Sequence, residues 1–284
     1  MLLFTISLLQ LCFYGTHAEF LRIKPTRKPT NRVVKTIAPT RKRTSIPTNS
    51  GCKHTTASAE DKKVACKYLG MSDLDKCLSS TNGTNYGNII PTQIGLLTSL
   101  TSLYLYPSGT IPAEIGCLTK LKSFISYGLI FDGLVGSIPS SLGSLTELTY
   151  LSLWGNLLKG TVPKSLGLLQ NLTGLDLSEN KFSGTIPSFL GSLTKLTDLG
   201  LSKNKLTGTI PKSLGSLMKL KYLHLQNNRI SGTIPSYFGS MKELKLLGLW
   251  SNDLTGTLPS TVCLAGIKPH VDCGEVKCNC CTCV

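Results

Sequence analysis

The sequence has few acidic residues and few histidines, and these shortages exclude several classes of function. Its 284 residues include 15 Asp or Glu against 30 Lys or Arg, and only 4 His. No His has a nucleophile or a metal-ligand spacing beside it, and neither an H-E-x-x-H motif nor a phosphate-binding glycine loop occurs. We therefore expect no catalysis, no cofactor and no metal.

Long apolar runs are also missing. Nothing after the N-terminus approaches the ~18 uninterrupted apolar residues of a transmembrane helix. Residues 1–18 carry no acid or base, and their apolar run ends at the small residues Thr16 and Ala18. Such a segment is typical of a secretory signal peptide, cleaved here after Ala18. The mature chain is thus expected to be secreted, to lie extracellularly, in a cell wall or at a cell surface, and to have no transmembrane segment.

Cysteine is absent from 118 to 262 and crowded at both ends. Cys12 lies in the predicted signal peptide, and ten cysteines remain, an even number that suits disulfides in an oxidising compartment. They are Cys52, Cys66, Cys77, Cys117, Cys263, Cys273, Cys278, Cys280, Cys281 and Cys283. We expect Cys66 and Cys77 to staple an N-terminal cap and Cys117 to pair with a cysteine of that cap, with a free thiol at Cys117 as the alternative. A thiolate metal cluster is the alternative at the C-terminus.

The excess positive charge is concentrated in residues 19–50, which hold nine Lys or Arg, one acid and four Pro-Thr pairs. This segment is too polar to offset its ordering entropy, so we interpret it as an extended, disordered linker. O-glycosylation, cleavage at the basic residues 41–43, and tethering to an anionic wall polymer or membrane surface are further interpretations. Nucleic acid is not an expected partner, because the charge does not form a patch on a folded surface.

Residues 90–262 repeat. The unit G-x-[IVL]-P occurs at 109–112, 136–139, 160–163, 184–187, 208–211, 232–235 and 256–259, and from Pro139 to Pro259 the steps are 24 residues. In each unit L-x-x-L-x-L-x-x-N, leucines such as Leu151 and Leu153 alternate as on one face of a short strand. One coil cannot bury that face alone, whereas stacked coils can do so as a parallel sheet. A structural ladder of Asn156, Asn180, Asn204, Asn228 and Asn252 should satisfy the turns after the strands, with Asp132 in this place in the irregular coil.

This pattern resembles leucine-rich repeats of the plant extracellular type, as in receptor-like protein ectodomains and polygalacturonase inhibitors. The resemblance implies an α/β-type solenoid, a right-handed superhelix of 7 to 8 coils whose concave parallel sheet usually meets a peptide, protein or glycan. Disulfide caps are expected at residues 51–89 and 263–284. Ser58 and Asp61 predict the start of a cap helix that ends near Gly70. At the other end, Val271 and Cys273 fall where Leu151 and Leu153 lie in the repeat, which predicts a last strand.

The outward positions of the predicted sheet form the candidate binding surface. They place both tryptophans of the chain on one face, together with tyrosines, acids and a histidine. Such side chains bury much area at small entropic cost in interfaces. The predicted ligand-binding residues are Tyr104, Tyr106, Tyr127, Tyr150, Trp154, Asp176, Glu179, Asp198, Tyr222, His224 and Trp250.

The most favoured function is therefore a secreted, non-catalytic recognition module for an extracellular protein, peptide or glycan. A structural wall or surface component and an inhibitor of a secreted glycosidase are alternatives. Ice binding is another, through a hydroxyl ladder of Thr110, Ser137, Thr161, Thr185, Thr209, Thr233 and Thr257. Asn82 and Asn171 lie in N-glycosylation sequons on segments that are predicted to be exposed.

Overall fold

The computed structural model describes residue 52 and residues 57–69, 82–128, 133–278 and 280–283. The predicted signal peptide and basic linker lie outside the described residues, as do Asp132 and Cys77.

One strand from each coil joins a ten-stranded parallel sheet, which confirms the predicted solenoid. Consecutive strands are in register at the repeat period, so that Tyr150 lies opposite Gly174, and Gly174 opposite Asp198. The strands are Asn82–Ile89, Ser102–Ser108, Ser123–Ser126, Tyr150–Ser152, Gly174–Asp176, Asp198–Gly200, Tyr222–His224, Leu246–Gly248, Lys268–Val271 and Thr282–Cys283.

A second sheet, which we call the flank, follows the turn after each main strand. Its strands are Val135–Gly136, Leu157–Gly160, Lys181–Thr185, Lys205–Gly208, Arg229–Gly232 and Asp253–Leu254. A separate pair joins Gly256–Thr257 to Val276–Lys277. The glycine that opens each G-x-[IVL]-P unit has a φ between +73° at Gly208 and +92° at Gly256, a conformation that residues with a Cβ rarely adopt.

The rest of each regular coil is a 3₁₀ helix that begins immediately after the repeated proline. The seven helices are Thr92–Leu96, Ala113–Cys117, Ser140–Ser144, Lys164–Leu168, Ser188–Ser192, Lys212–Ser216 and Ser236–Ser240. Their glycines allow close stacking: a Cβ on Gly191 would lie 2.2 Å from the carbonyl oxygen of Ser213 in the next coil. Glycine at this position therefore sets the coil spacing.

The core lies between the two sheets and the 3₁₀ helices and consists mainly of leucine. Leu151, Leu175 and Leu199, in consecutive strands, are at most 1% exposed. Burying each such side chain stabilises the fold by about 1.5–3 kcal/mol. Because every coil contributes equivalent side chains, this stabilisation is shared between neighbouring coils rather than held in one centre.

The asparagine ladder forms as predicted. The Asn180 Oδ1 atom accepts a hydrogen bond from the Leu158 N–H at 3.0 Å, and its Nδ2 donates to the carbonyl oxygens of Leu153 and Leu177 at 2.8 and 3.2 Å. Asn156, Asn204, Asn228 and Asn252 bond in the same way to equivalent positions. Each amide thus satisfies backbone groups of its own coil and of the preceding coils.

The N-terminal cap contains the predicted helix, Ala59–Tyr68. The Asp61 N–H donates to Ser58 Oγ, and the Ser58 N–H donates to Asp61 Oδ2, both at 3.1 Å, which forms a capping box. Cys117 is joined to Cys52, which confirms the expected link between the first coils and the cap. Cys66 is also disulfide-bonded.

The C-terminal cap contains a helix, Ser260–Leu264, and two disulfides, Cys263–Cys280 and Cys278–Cys281. Cys273 is disulfide-bonded too. The cysteines of these two disulfides and Cys273 therefore do not carry free thiolates that could bind a metal.

Two details at the ends differ from the prediction. The last full coil is two residues shorter than the repeat, because Pro269, not Val271, lies opposite Leu247. Val271 therefore takes the next core position, and Cys273 lies exposed in the following turn. In addition, Thr282–Cys283 and Asn82–Ile89 extend the sheet at its two ends, and neither segment has the leucine spacing of the repeats.

Candidate functional site

The outer face of the ten-stranded sheet carries the predicted binding residues in straight columns. Tyr104 and Tyr106 are partly exposed, whereas Leu103 and Leu105, which alternate with them along the strand, are buried. One column contains Ser102, Ser123, Tyr150, Gly174, Asp198, Tyr222 and Leu246, and the next contains Tyr104, Ile125, Ser152, Asp176, Gly200, His224 and Gly248. A third column lies two residues further along each strand and contains Tyr106, Tyr127, Trp154 and Trp250.

Three rings of the third column form an aromatic cluster at the N-terminal end of the outer face. The ring centroids of Tyr106 and Tyr127 are 6.0 Å apart, and those of Tyr127 and Trp154 are 5.9 Å apart with an edge-to-face angle of 80°. These separations lie in the favourable range for aromatic pairs. All three side chains stay partly exposed, so the packed rings are accessible from solvent on the outer face.

Tyr150 borders this cluster in the first column, and its ring lies over Gly174 of the next coil. A Cβ at Gly174 would be 2.5 Å from the ring, so glycine is what lets Tyr150 lie flat there. Burial raises the pKa of the Tyr150 hydroxyl, and nearby Tyr127 and Asp176 add to the shift. Burial, with Asp176 as the next cause, also raises the pKa of Tyr127 to about 12.

Asp176 lies at the middle of the outer face, with its carboxylate over Gly200. Its Oδ1 accepts a hydrogen bond from the Ser178 N–H at 3.0 Å. Burial raises the pKa of this carboxyl group, the Ser178 bonds lower it, and the charges of Glu179 and Asp198 raise it again. A desolvated carboxylate beside tyrosine rings is a favourable place for a cationic group.

The other two predicted acids are engaged differently. Glu179 has a left-handed backbone, with φ of 55°, and lies in the turn after the strand. Its Oε1 is 2.6 Å from Lys203 Nζ, so its charge is paired within the chain. Asp198 accepts a hydrogen bond from the neighbouring Thr197 hydroxyl. Of the three acids, Asp176 is the one whose environment most clearly favours an external cation.

A second group of rings lies toward the C-terminal end of the outer face. Trp250 and His270 have centroids 5.7 Å apart. His224 and His270 lie on either side of Gly248 in the second column, and Tyr222 lies one column away. Burial lowers the pKa of His224, with Asp198 opposing the shift and His270 adding to it. The predicted residues Tyr222, His224 and Trp250 therefore lie near one another.

Sequence reasoning missed His270 and Asp272 on this face. Asp272 Oδ2 accepts a hydrogen bond from the Ser251 N–H at 2.7 Å. Its carboxylate therefore accepts the last of the hydrogen bonds that link the turns of successive coils. The alternation along the strand was a signal that could have found both, because a shift of two residues leaves the same side chains facing outward. The terminal coil follows its helix and disulfides instead of the repeat.

The structure also locates the other predicted sites. All seven residues of the hydroxyl ladder are exposed, and the Thr209 Cγ2 would lie 2.9 Å from a Cβ at Gly232, so this methyl group faces the next coil. Asn171 donates its amide to the Thr146 carbonyl oxygen at 2.9 Å and accepts from Lys195 Nζ at 2.7 Å. Asn82 begins the first strand of the sheet. Ice binding and glycosylation stay predictions.

Stacked coils with a parallel sheet, an asparagine ladder and an aromatic outer face define a repeat solenoid. Comparison with known proteins agrees with this class. The Leucine rich repeat family matches residues 146–206 and 194–254. The chain is a leucine-rich repeat protein, and its repeats are of the plant extracellular type. No curated protein sequence was found that matches it.

Solved structures of plant receptor ectodomains are similar to the chain. The plant peptide hormone receptor RGFR1 in complex with RGF2 is 36% identical with a TM-score of 0.61, over 66% of this chain and 32% of the receptor. The Arabidopsis receptor kinase HAESA, in complex with the peptide hormone IDA and the co-receptor SERK1, is 35% identical with a TM-score of 0.59, over 66% and 32%. The ectodomain of the Arabidopsis thaliana receptor kinase GASSHO1/SCHENGEN3, in complex with CASPARIAN STRIP INTEGRITY FACTOR 2, is 28% identical with a TM-score of 0.56, over 71% and 28%.

The chain spans about a third of the length of these receptor structures. Within the residues that the structure describes, no helix combines the length and apolar character that crossing a bilayer requires.

Proposed function

We propose that the protein is a secreted, non-catalytic recognition module whose outer face binds an extended peptide or an extended segment of an extracellular protein. The observation that carries this proposal is the aromatic cluster of Tyr106, Tyr127 and Trp154, with the desolvated Asp176 beside it. Aromatic side chains that are partly buried and rigidly placed are the usual anchors of binding surfaces. The disulfides at both ends support a location outside the cell.

The dimensions of the face indicate the length of the ligand. Six strand steps separate the strand of Tyr106 from that of Trp250. At ~4.8 Å per step these strands are about 29 Å apart, which an extended peptide of about nine residues spans. Such a peptide, laid across the strands, contacts the aromatic cluster at one end and the Trp250–His270 pair at the other.

Asp176 indicates that the ligand carries a cationic group near its centre. Its strand is three steps from the strand of Tyr106 and three steps from that of Trp250. A lysine or arginine near the middle of the peptide therefore reaches the carboxylate while the ends contact rings. The similar plant receptors RGFR1, in complex with RGF2, and HAESA, in complex with the peptide hormone IDA, support a peptide as the ligand.

The test is selection from a displayed library of random peptides of about twelve residues, long enough to span the face. We expect selected peptides to carry a basic residue near the centre and apolar or aromatic residues toward the ends. Trp154→Ala and Asp176→Asn should each weaken binding roughly 30-fold or more, as for interface anchors. Leu168→Ala removes a 61% exposed apolar side chain from a 3₁₀ helix and serves as the control.

Two results contradict the proposal. One is a library in which no peptide is enriched on the unchanged protein. The other is a set of peptides that bind Trp154→Ala and Asp176→Asn as tightly as they bind the control. Circular dichroism melting of every variant separates loss of binding from loss of folding.

A further inference from the structure

The flank carries a stripe of four exposed cations that is separate from the outer face. Lys159, Lys181, Lys205 and Arg229 each come from a different flank strand and are all exposed. Within the part of the chain that the structure describes, none of the four side chains forms an ion pair with an acid. The acid nearest in sequence to Lys181, Glu179, is already paired with Lys203. The stripe therefore presents net positive charge and ends at the acid Asp253, which lies opposite Ser231 on the next flank strand.

The register sets the spacing of these charges. Lys159 lies directly opposite Lys181, whereas Lys205 lies opposite Ser183 and Arg229 opposite Thr207, each two residues beyond the preceding cation. Strand spacing and rise then place Lys205 about 8 Å from Lys181, and Arg229 about 8 Å from Lys205, between Cα atoms. The cations thus form one line that crosses four coils obliquely.

This arrangement of cations does not stabilise the flank sheet. Like charges directly opposite each other on neighbouring strands destabilise a sheet, and Lys159 and Lys181 are such a pair. An anion lying over them removes the repulsion. Beside the stripe, the hydroxyls of Ser183 and Thr207 are tied to the carbonyl oxygens of Gly160 and Gly184, at 3.5 and 3.3 Å, so the polar surface between the cations is fixed.

We propose that the flank binds a linear polyanionic polysaccharide along the stripe of Lys159, Lys181, Lys205 and Arg229. A single line of cations, with one step of about 5 Å and two of about 8 Å, matches a chain that carries carboxylate or sulfate groups at intervals. An anionic membrane is a poorer match. A bilayer surface contacts a broad patch, and apolar side chains among the cations strengthen binding to it. Between the cations the stripe has the hydroxyls of Ser183 and Thr207, and the exposed apolar side chains Val135 and Leu157 lie beyond its end, before Lys159.

The experiment uses the full mature chain, with the basic segment 19–50 retained in every variant. The flank variant is Lys159→Gln, Lys181→Gln and Lys205→Gln together. The matched control is Lys120→Gln, Lys219→Gln and Lys242→Gln, three exposed lysines outside both sheets that change the net charge equally. The probes are polygalacturonate for carboxylates, heparin for sulfates, fully methyl-esterified pectin as an uncharged chain, and vesicles of anionic phospholipid.

We expect at least one anionic polysaccharide to bind the flank variant roughly 100-fold more weakly than the control, since each surface cation near an anionic surface contributes about a factor of five. The difference between polygalacturonate and heparin identifies the anionic group. Lysine acetylation read by mass spectrometry should show that the bound polysaccharide protects Lys159, Lys181 and Lys205 and leaves Lys219 and Lys242 reactive.

Three outcomes overturn the inference. Equal weakening in both variants indicates attraction by net charge alone, and no weakening in either places binding in the N-terminal segment. A defect of the flank variant toward vesicles, with polysaccharide binding unchanged, assigns the stripe to a membrane surface. None of these outcomes bears on the peptide proposal, because the outer face is intact in both variants.

Discussion

Replacing Asn180 with alanine should destabilise the solenoid by about 2–4 kcal/mol. The substitution leaves the buried Leu158 N–H without the acceptor it has at 3.0 Å, and an orphaned buried donor costs about 1–3 kcal/mol. It also removes the bond to the Leu153 carbonyl oxygen, but that oxygen keeps the Asn156 Nδ2 donor at 3.0 Å, so this loss adds only about 1 kcal/mol. The measurement is the free energy of unfolding in urea.

Hydrogen exchange localises the effect. The Leu158 amide should lose protection in Asn180→Ala more than amides two coils away do, because a coil interacts chiefly with its neighbours. Gln170→Ala is the control: it removes an exposed amide whose hydrogen bond to the Gly167 carbonyl oxygen water can replace, and it should change stability by less than about 0.5 kcal/mol. A loss below about 1 kcal/mol for Asn180→Ala, or unchanged exchange at Leu158, would refute the assignment of the ladder as a stabilising element.

Three further predictions concern titration and the hydroxyl ladder. Asp176→Asn should lower the pKa of Tyr127 from about 12, because it removes a nearby negative charge. Titration followed by the ultraviolet absorbance of tyrosine measures this change. An unchanged pKa would show that Asp176 is too far from Tyr127 to affect its ionisation. Burial lowers the pKa of His224 in the folded protein below its usual 6.5, so the unfolded chain takes up the proton first. The free energy of unfolding should therefore fall as the pH drops from 6.5 toward the pKa of the folded state. His224→Gln should make this pH dependence weaker, and an equal dependence in the variant refutes the prediction. We expect no thermal hysteresis, because the strongly hydrated Lys181 and Lys205 interrupt the surface beside the ladder; measurable hysteresis would restore ice binding.

The repeat period allowed most of the fold and much of the candidate site to be predicted from sequence. Each regular coil closes after 24 residues, so a residue at one position must lie beside its equivalents in the adjoining coils. Tyr127 and Trp154 are 27 residues apart, and they could be placed together because the alternating apolar residues of each strand keep the same register across the irregular coil. The role of Asn180 followed as well, since the turn after each strand leaves the same backbone groups unpaired in every coil.

The structure of the two ends of the solenoid could not be predicted from the repeat period. The strand Asn82–Ile89 is rich in Asn and Gly and has no alternating leucines, and its conformation is set by pairing with Ser102–Ser108. The position of Val271 depends on a terminal coil closed by disulfides rather than by repeated leucines. Local pattern carries little information where a neighbouring element determines the structure.

Charge pairing was the other feature that the repeat could not reveal. Glu179 and Lys203 both occupy the left-handed turn position of consecutive coils, and their ion pair depends on side-chain directions that a one-dimensional pattern does not contain. This pair explains why Asp176 and the flank lysines keep uncompensated charges of opposite sign. It lies at the turn between the two sheets and neutralises Glu179 and Lys203, so that a cationic ligand on the outer face and an anionic ligand on the flank can bind without competing for the same side chains.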